Sequence, residues 1–338
     1  MRIALVAPPF LAVPPKGYGG IEQVIAALAE GLGQRGHEVI LFASSDSETG
    51  GELRSPLAAA PGPEHIGDEF LALSHVLDVY LGEREFDIVH DHTLQGTALA
   101  VALDRHRVVH TLHGPWTEPS RRYYSRVHRR VHLVAISETQ KSLNPAVDYE
   151  AVIPNGTALD THPFRSDKED FVVFVGRSNP EKGPEQAVEV ARRAGMRLVM
   201  VVKRAESTER AYWDERVAPF LTGEEEVLEE LPHEQVADIV SRARAMVFPI
   251  QWEEPFGLVM TEAMACGTPV VTRPLGAARE LVIDGETGYL RDTVEEMAEA
   301  LAHLDRLSPQ RCRDHVAEHY SAETMVDRYE RLFERLCS

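Results

Sequence analysis

The sequence predicts an α/β protein built from two doubly wound parallel sheets, and three observations predict it. Short β-branched apolar runs alternate with helical patterns along the whole chain, which is the pattern of βαβ units and parallel sheets. The chain has 338 residues, enough for two domains of ordinary size, each with its own core. Residues 155–170 carry Gly, Pro and charge with little periodicity, so they make the natural linker between two similar halves. No internal repeat and no low-complexity segment interrupts the alternation.

In the first half, apolar runs predict strands near Ile3–Ala7, Glu38–Ala43, Asp87–His90, Val108–Leu112, Leu133–Ile136 and Ala151–Ile153. Helical spacing predicts helices over Ile21–Arg35, Glu69–Leu81 and Glu138–Leu143, while Ser44–Asp68, rich in Gly, Pro, Ser and Glu, reads as loop. In the second half strands are expected near Phe171–Val175, Leu198–Val202, Val227–Glu230, Ala245–Phe248 and Pro269–Val271. Helices are expected over Gly183–Ala194, Glu206–Val217, His233–Arg242, Thr293–Leu304 and Ala322–Leu336. The resulting division is 1–160, 161–320 and a last segment, 321–338. Ligands of doubly wound sheets bind outside the carboxyl ends of the strands, so two such domains facing one another are expected to enclose a cleft.

Hydrophobic residues at 43% and charged residues at 26% describe a soluble globular protein. No stretch approaches ~20 apolar residues, so no transmembrane span is expected. The start, Met1 to Pro9, has too short an apolar run for a signal peptide and reads as a first strand. The three cysteines, Cys266, Cys312 and Cys337, are an odd number; they suggest a reducing cytoplasm and no disulfide framework. A formal charge of −19 argues against nucleic acid as a partner, because phosphate backbones need clustered Lys and Arg. One basic stretch stands out, Arg121 to Arg130. Its two readings are a solvated helix face and a peripheral contact with an acceptor or lipid surface.

Chemistry concentrates between Glu253 and Val271. Pro255 suits a first helical position, good helix formers run from Phe256 to Cys266, Gly267 supplies a stop, and a β-branched strand follows. The free N–H groups of Phe256, Gly257 and Leu258 then face whatever sits at that helix start, and such a terminus binds phosphate. Glu254 stands at its mouth, and Glu262 lies roughly 7–8 Å further along the axis at 1.5 Å per residue. Ionised carboxylates only accept hydrogen bonds, so they suit sugar hydroxyls. Diphosphate flanked by hydroxyl-rich rings is the outline of a sugar nucleotide; the plainer reading is an amphipathic helix with two solvated glutamates.

Glu254-Pro255-Phe256-Gly257, followed by Glu262-Ala263-Met264-Ala265-Cys266-Gly267-Thr268-Pro269-Val270-Val271, resembles the signature of glycosyltransferase family 4, with seven residues between its two glutamates. The resemblance extends over nearly the whole chain. It implies the GT-B fold of two Rossmann-like domains, transfer from a nucleoside-diphosphate sugar with retention of configuration, UDP as the commonest carrier, and no bound metal or other cofactor. In that fold the last helix commonly crosses back to the first domain. A fainter likeness to enzymes of oligosaccharide-antibiotic assembly, of the avilamycin type, adds a natural product to glycan and lipid as acceptor classes.

The remaining site candidates follow strands. Gly17 and Gly19 fill two places of a dinucleotide fingerprint, but Glu22 fills the sixth and the strand ends about ten residues earlier, so that reading is weak. In the resemblance, Gly19-Gly20 lies against the donor diphosphate and the acceptor. Arg177 and Lys182 follow an apolar strand; Arg177 can fork onto two phosphate oxygens and Lys182 offers a point charge, so both suit a leaving diphosphate. His113 matches a family histidine near the donor sugar; as a bare residue it is a half-buried loop histidine. His90-Asp91-His92 has no third ligand at recognisable spacing, so no metal is expected. Ser137 and Asn155-Gly156 read as a helix cap and a turn, Trp252 packs on a ring or fills core, and Glu280 gains no role because Ala277 departs from the family's second glycine. The expected catalytic set is Glu254, His113, Arg177 and Lys182. Two other classes stay open: a metal-independent nucleotide-sugar epimerase of the same scaffold, and a nucleotide-sugar binder without catalysis.

Overall fold

The computed structural model describes residues 1–17, 19–82, 86–105 and 107–338. The chain divides into two compact units, residues 1–156 with 322–338, and residues 157–321.

The first unit is a seven-stranded sheet: β1 (Arg2–Val6), β2 (Glu38–Phe42), β3 (Glu52–Arg54), β4 (Ile88–Asp91), β5 (Val108–Leu112), β6 (His132–Ala135) and β7 (Ala151–Val152). Their spatial order is β3-β2-β1-β4-β5-β6-β7, and every pairing is parallel. β1 and β5 are buried along nearly their whole length, which is why they read as continuous apolar runs rather than alternating ones.

The second unit holds β8 (Glu169–Arg177), β9 (Arg197–Lys203), β10 (Glu226–Glu229), β11 (Ala243–Phe248), β12 (Val270–Thr272) and β13 (Gly288–Leu290). Their order is β10-β9-β8-β11-β12-β13, again parallel throughout. Both sheets reverse direction of growth once: between β1 and β4 in the first, between β8 and β11 in the second. Such a reversal opens a crevice at the carboxyl ends of the two strands, the place where ligands of open α/β sheets bind.

The helix Ala322–Cys337 packs within the first unit, against the helix Gly20–Gln34. Gly31 permits that approach, since a Cβ there would stand 2.6 Å from a methyl of Val326. Arg35 pairs with Asp327 and, at 2.7 Å, with Glu330; His37 reaches Glu330 at 2.8 Å.

The structure corrects several expectations. Residues 44–68 are not all loop: Glu52-Leu53-Arg54 forms the polar edge strand β3, whose charged side chains carry no hydrophobic signal. Helices Leu94–Ala102 and Pro309–His319 and strand β13 also escaped the sequence patterns, whereas the helix Glu118–Val127 carries most of the basic stretch read as a helix face. Leu94–Ala102 is apolar nearly all round, and β13 is three residues long, so neither carries a period. The segment expected as one helix over Glu206–Val217 is α-helical only to Tyr212 and then widens into a π-turn.

No helix among the described residues is long and apolar enough to cross a membrane. In the basic stretch, Tyr124 and Val127 are buried on the inner face of their helix. Arg130 pairs with Asp104 at 3.0 Å and Arg129 with Asp148 at 3.7 Å, while Arg122 and Arg126 face solvent.

Candidate functional site

In the second unit the loops after β8 and β11, on either side of the reversal, carry the candidate residues. Lys182 lies in the loop after β8. Its backbone N–H donates to Asn179, its ammonium pairs with the Glu254 carboxylate, and it lies 5.0 Å from the Trp252 ring centre and 5.4 Å from that of Phe248. Trp252 Nε1–H donates to the same Glu254 oxygen at 2.9 Å. Glu254 is only 6% exposed, so it is not an open carboxylate at a mouth but a buried one that needs this cation.

Gly183 closes the lysine loop in a left-handed conformation (φ +70°), and a Cβ there would lie 2.3 Å from the Pro249 carbonyl oxygen. A glycine at that point brings the β8 loop against the β11 loop. Gln251 N–H then donates to the Glu181 carbonyl at 2.8 Å.

Arg177 ends β8. Its Nη2 lies 3.6 Å from Glu181 Oε2, whereas its Nε–H is buried and has no acceptor among the described residues. A buried guanidinium N–H without an acceptor is costly, and an anion beside it would remove that cost.

The helix expected over Pro255–Cys266 is shorter, Leu258–Ala265. Pro255 is not its first residue. Gly257 takes a left-handed φ of +89° at the N-cap, where a Cβ would stand 2.4 Å from Met260 Cε, and this turn delays the helix. Phe256 turns inward, 3% exposed, edge-on to Tyr320 at 6.2 Å. With no side chain capping the helix, the amides of Gly257, Leu258 and Val259 replace the expected set, and all three residues are partly exposed.

Residues 273–277 form a support the sequence did not reveal. Ala277 N–H donates to the Glu254 carbonyl at 2.8 Å, and Gly276 N–H to Glu253 Oε2 at 2.6 Å. Gly276 (φ +56°) approaches so closely that a Cβ would lie 2.2 Å from the backbone N and O of Glu254. The signal was that glycine; Ala277 in the neighbouring place does its work through its backbone. Glu262 is half-buried on the helix, with its carboxylate turned towards His162 and His233.

In the first unit Gly19 and Gly20 follow β1, and His92 follows β4, so both flank the other reversal. Gly19 is buried, and a Cβ there would stand 2.6 Å from Pro15 Cβ. Gly20 begins the helix, which no side chain caps, leaving backbone N–H groups at its start. Tyr18, between the glycines, lies outside the described residues. Glu22, buried at 5% exposure in the first turn, has its carboxyl pushed up to about 7 by desolvation.

His113, after β5, is half-buried and stacks on His92, the two rings sharing a hydrogen bond of 2.8 Å between Nε2 and Nδ1. Burial, aided by nearby His110, pushes His113 down to about 3, so it is neutral at physiological pH. His90 bonds Thr111 Oγ1 at 2.8 Å, and Thr111 bonds the Tyr329 hydroxyl at 2.7 Å. Asp91 caps the following turn, accepting from the Thr93 N–H, the Thr93 hydroxyl and the Tyr80 hydroxyl, each at 2.7 Å; burial raises it to about 6. Ser137 caps its helix, its hydroxyl accepting from the Gln140 N–H at 3.0 Å.

Two family descriptions match. Residues 18–161 match Glycosyltransferase Family 4, and residues 159–318 match Glycosyl transferases group 1. Among curated proteins, the chain is 34% identical over 170 residues to D-inositol 3-phosphate glycosyltransferase of Mycobacteroides abscessus. That match covers 48% of this chain and 38% of the relative, so it spans well under half of the relative's length. Phosphatidyl-myo-inositol mannosyltransferase of Mycobacterium tuberculosis is 25% identical over 369 residues, covering 98% of this chain and 93% of that one. Among solved structures, AviGT4, a glycosyltransferase involved in avilamycin A biosynthesis, superposes with a TM-score of 0.75 at 26% identity, over 99% of this chain and 98% of the other. Sucrose-phosphate synthase from Thermosynechococcus elongatus reaches 0.82 at 22% identity over 99% and 98%, which speaks to fold alone.

Proposed function

The chain belongs to glycosyltransferase family 4 and has the two-domain GT-B fold, and from that premise we propose that it transfers a sugar from a nucleoside-diphosphate donor, UDP being the carrier, to a hydroxyl acceptor. The observation that carries this reading is the set at the β8/β11 reversal. The unsatisfied Arg177 Nε–H and the Lys182 ammonium, in the loop after β8, and the uncapped amides of Gly257 to Val259, in the segment after β11, together suit a diphosphate. The printed names of the similar proteins, a D-inositol 3-phosphate glycosyltransferase, a phosphatidyl-myo-inositol mannosyltransferase and a glycosyltransferase involved in avilamycin A biosynthesis, support hydroxyl acceptors of the glycan, lipid or natural-product kind.

In this reading the bond from the anomeric carbon to the β-phosphate oxygen breaks while the acceptor oxygen bonds the same face of the sugar through an oxocarbenium-like state. The acceptor's proton passes to the departing phosphate oxygen, and configuration is retained. Arg177 and Lys182 stabilise the charge that grows on that phosphate. Glu254 is not placed as a nucleophile: buried and held by Lys182 and Trp252, its role is to orient Lys182 and accept from a sugar hydroxyl. In the first unit His113 is neutral, so it keeps an uncharged hydrogen-bonding imidazole at the end of β5.

The test is a thermal-shift panel of nucleoside diphosphates and their sugars, followed by turnover with the best donor. UDP is expected to raise the melting temperature of the wild type, since a ligand of the native state stabilises it. Arg177→Ala is expected to lower turnover about tenfold or more, the worth of a charge-assisted bond. No shift with any diphosphate, or an unchanged rate in Arg177→Ala, would overturn the reading. Conversion of the donor into a different nucleotide-sugar without acceptor would mark an epimerase instead.

A further inference from the structure

Away from the diphosphate groups, three side chains far apart in sequence meet in the second unit. His162 follows the short turn Leu159–Thr161, His233 opens the helix His233–Arg242, and Glu262 lies on the helix Leu258–Ala265. One potential ligand atom from each lies within 4.8 Å of the other two, the only such group of three among the described residues. The two rings stand 5.0 Å apart, edge to face.

His162 is built for this use. It is 4% exposed, and its Nδ1 lies 2.6 Å from the Ala158 carbonyl oxygen. A carbonyl only accepts, so Nδ1 carries the proton and Nε2 holds a lone pair. That Nε2 is buried and has no hydrogen-bond partner. A histidine that gives one N–H to a carbonyl and keeps its other ring nitrogen unpaired has the usual arrangement of a metal ligand. Arg313 fixes the backbone beneath it, its guanidinium donating to the carbonyls of Leu159, His162 and Ala265 at 2.9, 2.8 and 2.6 Å. That guanidinium opposes a second cation, and the Glu262 carboxylate supplies the charge to offset it.

We propose that His162 Nε2, an imidazole nitrogen of His233 and the Glu262 carboxylate form a site for a divalent transition metal of the zinc class. Two imidazoles and one carboxylate suit zinc and its borderline neighbours rather than magnesium or calcium, which prefer all-oxygen sets. With bonds of about 2.0–2.1 Å, tetrahedral ligands lie about 3.4 Å apart. Rotation of the half-exposed His233 and Glu262 side chains closes the remaining distance, and three protein ligands leave one position for water. The sequence could not single out this group, because ligands on three separate elements have no spacing to recognise. The donor and the metal draw on the same Glu262, so binding is measured without nucleotide.

The experiment equilibrates the full chain with zinc chloride, removes free metal, counts bound zinc per chain and records the melting temperature. His162→Phe and His233→Ala are compared with wild type. Each variant is expected to lose one equivalent of zinc relative to wild type and the zinc-dependent rise in melting temperature, whereas magnesium chloride gives no rise in any of them. His233 is half-exposed, so its variant remains informative if the buried His162→Phe misfolds. Wild type that holds no zinc, or variants that hold as much as wild type, would overturn the proposal.

Discussion

The two reversal points handle charge in opposite ways. At β8/β11 the groups are ionic: Lys182 with Glu254, and Arg177 with Glu181. At β1/β4 and the neighbouring end of β5, imidazoles are stacked and bonded to one another and to hydroxyls, and burial keeps them neutral. The same α/β topology can therefore present an anion-binding edge or an uncharged hydrogen-bonding edge, depending on what fills the strand ends. A strand end that holds cations against buried carboxylates is ready for phosphate. One that desolvates its histidines offers shape and neutral donors to something that carries no charge.

Acid should break this contrast most strongly. His90, His92 and His110 are buried with depressed pKa values, His110 at about 4, so the folded first unit binds fewer protons than the unfolded chain below its ordinary value near 6.5. Stability is then full above about pH 6.5 and is lost as pH falls towards 4, by about 1.4 kcal/mol per pH unit for each such histidine. Fluorescence of Trp116 in a Trp213→Phe/Trp252→Phe background should show the first unit unfolding in acid with a steep dependence below pH 6.5. A transition independent of pH between 7 and 5 would contradict the neutral-histidine account.

Lys182→Ala tests the ionic edge. It strands the Glu254 carboxylate in a buried position, and stability is expected to fall by about 3 kcal/mol or more, as for other broken buried pairs. Adding Glu254→Gln should restore most of that loss in urea titration without restoring the UDP-induced thermal shift. Full recovery of both would assign the lysine to folding alone.

The smallest expected effect sharpens the neutral side. Glu22 has a folded pKa of about 7 against an ordinary value of 4.5, so the folded state binds the extra proton between those values and loses stability as pH rises through that range. Glu22→Gln should be more stable than wild type at pH 8.5, by up to about 3 kcal/mol, and equally stable at pH 4.5. Equal melting at both values would mean that Glu22 carries no burial penalty.

Most strands were legible because parallel strands buried on both faces read as unbroken β-branched runs, as in Val108–Leu112 and Phe171–Val175. Glu52–Arg54 was not, because an edge strand is stabilised by backbone pairing while its side chains stay polar. At the site, the residue types and their strand ends were readable, and Gly257 was readable as a special position. Its effect was not: a left-handed turn moved the helix start from Pro255 to Leu258. The pairing of Lys182 with Glu254 and the backing of Glu254 by Gly276 and Ala277 join loops far apart in sequence, which no periodicity records. The meeting of His162, His233 and Glu262 is hidden for the same reason.

The helix Ala322–Cys337 completes the first unit after the whole of the second has been passed in chain order. During synthesis at ~5–20 residues per second, the groove beside Gly31 and the Thr111 hydroxyl wait on the order of ten seconds or more for Val326 and Tyr329 to arrive. The first unit is therefore complete only once that helix has been made. A nascent chain halted before Ala322 should leave apolar surface of the Gly20–Gln34 helix open to chaperones, and emergence of Ala322–Cys337 should mark the moment that surface closes.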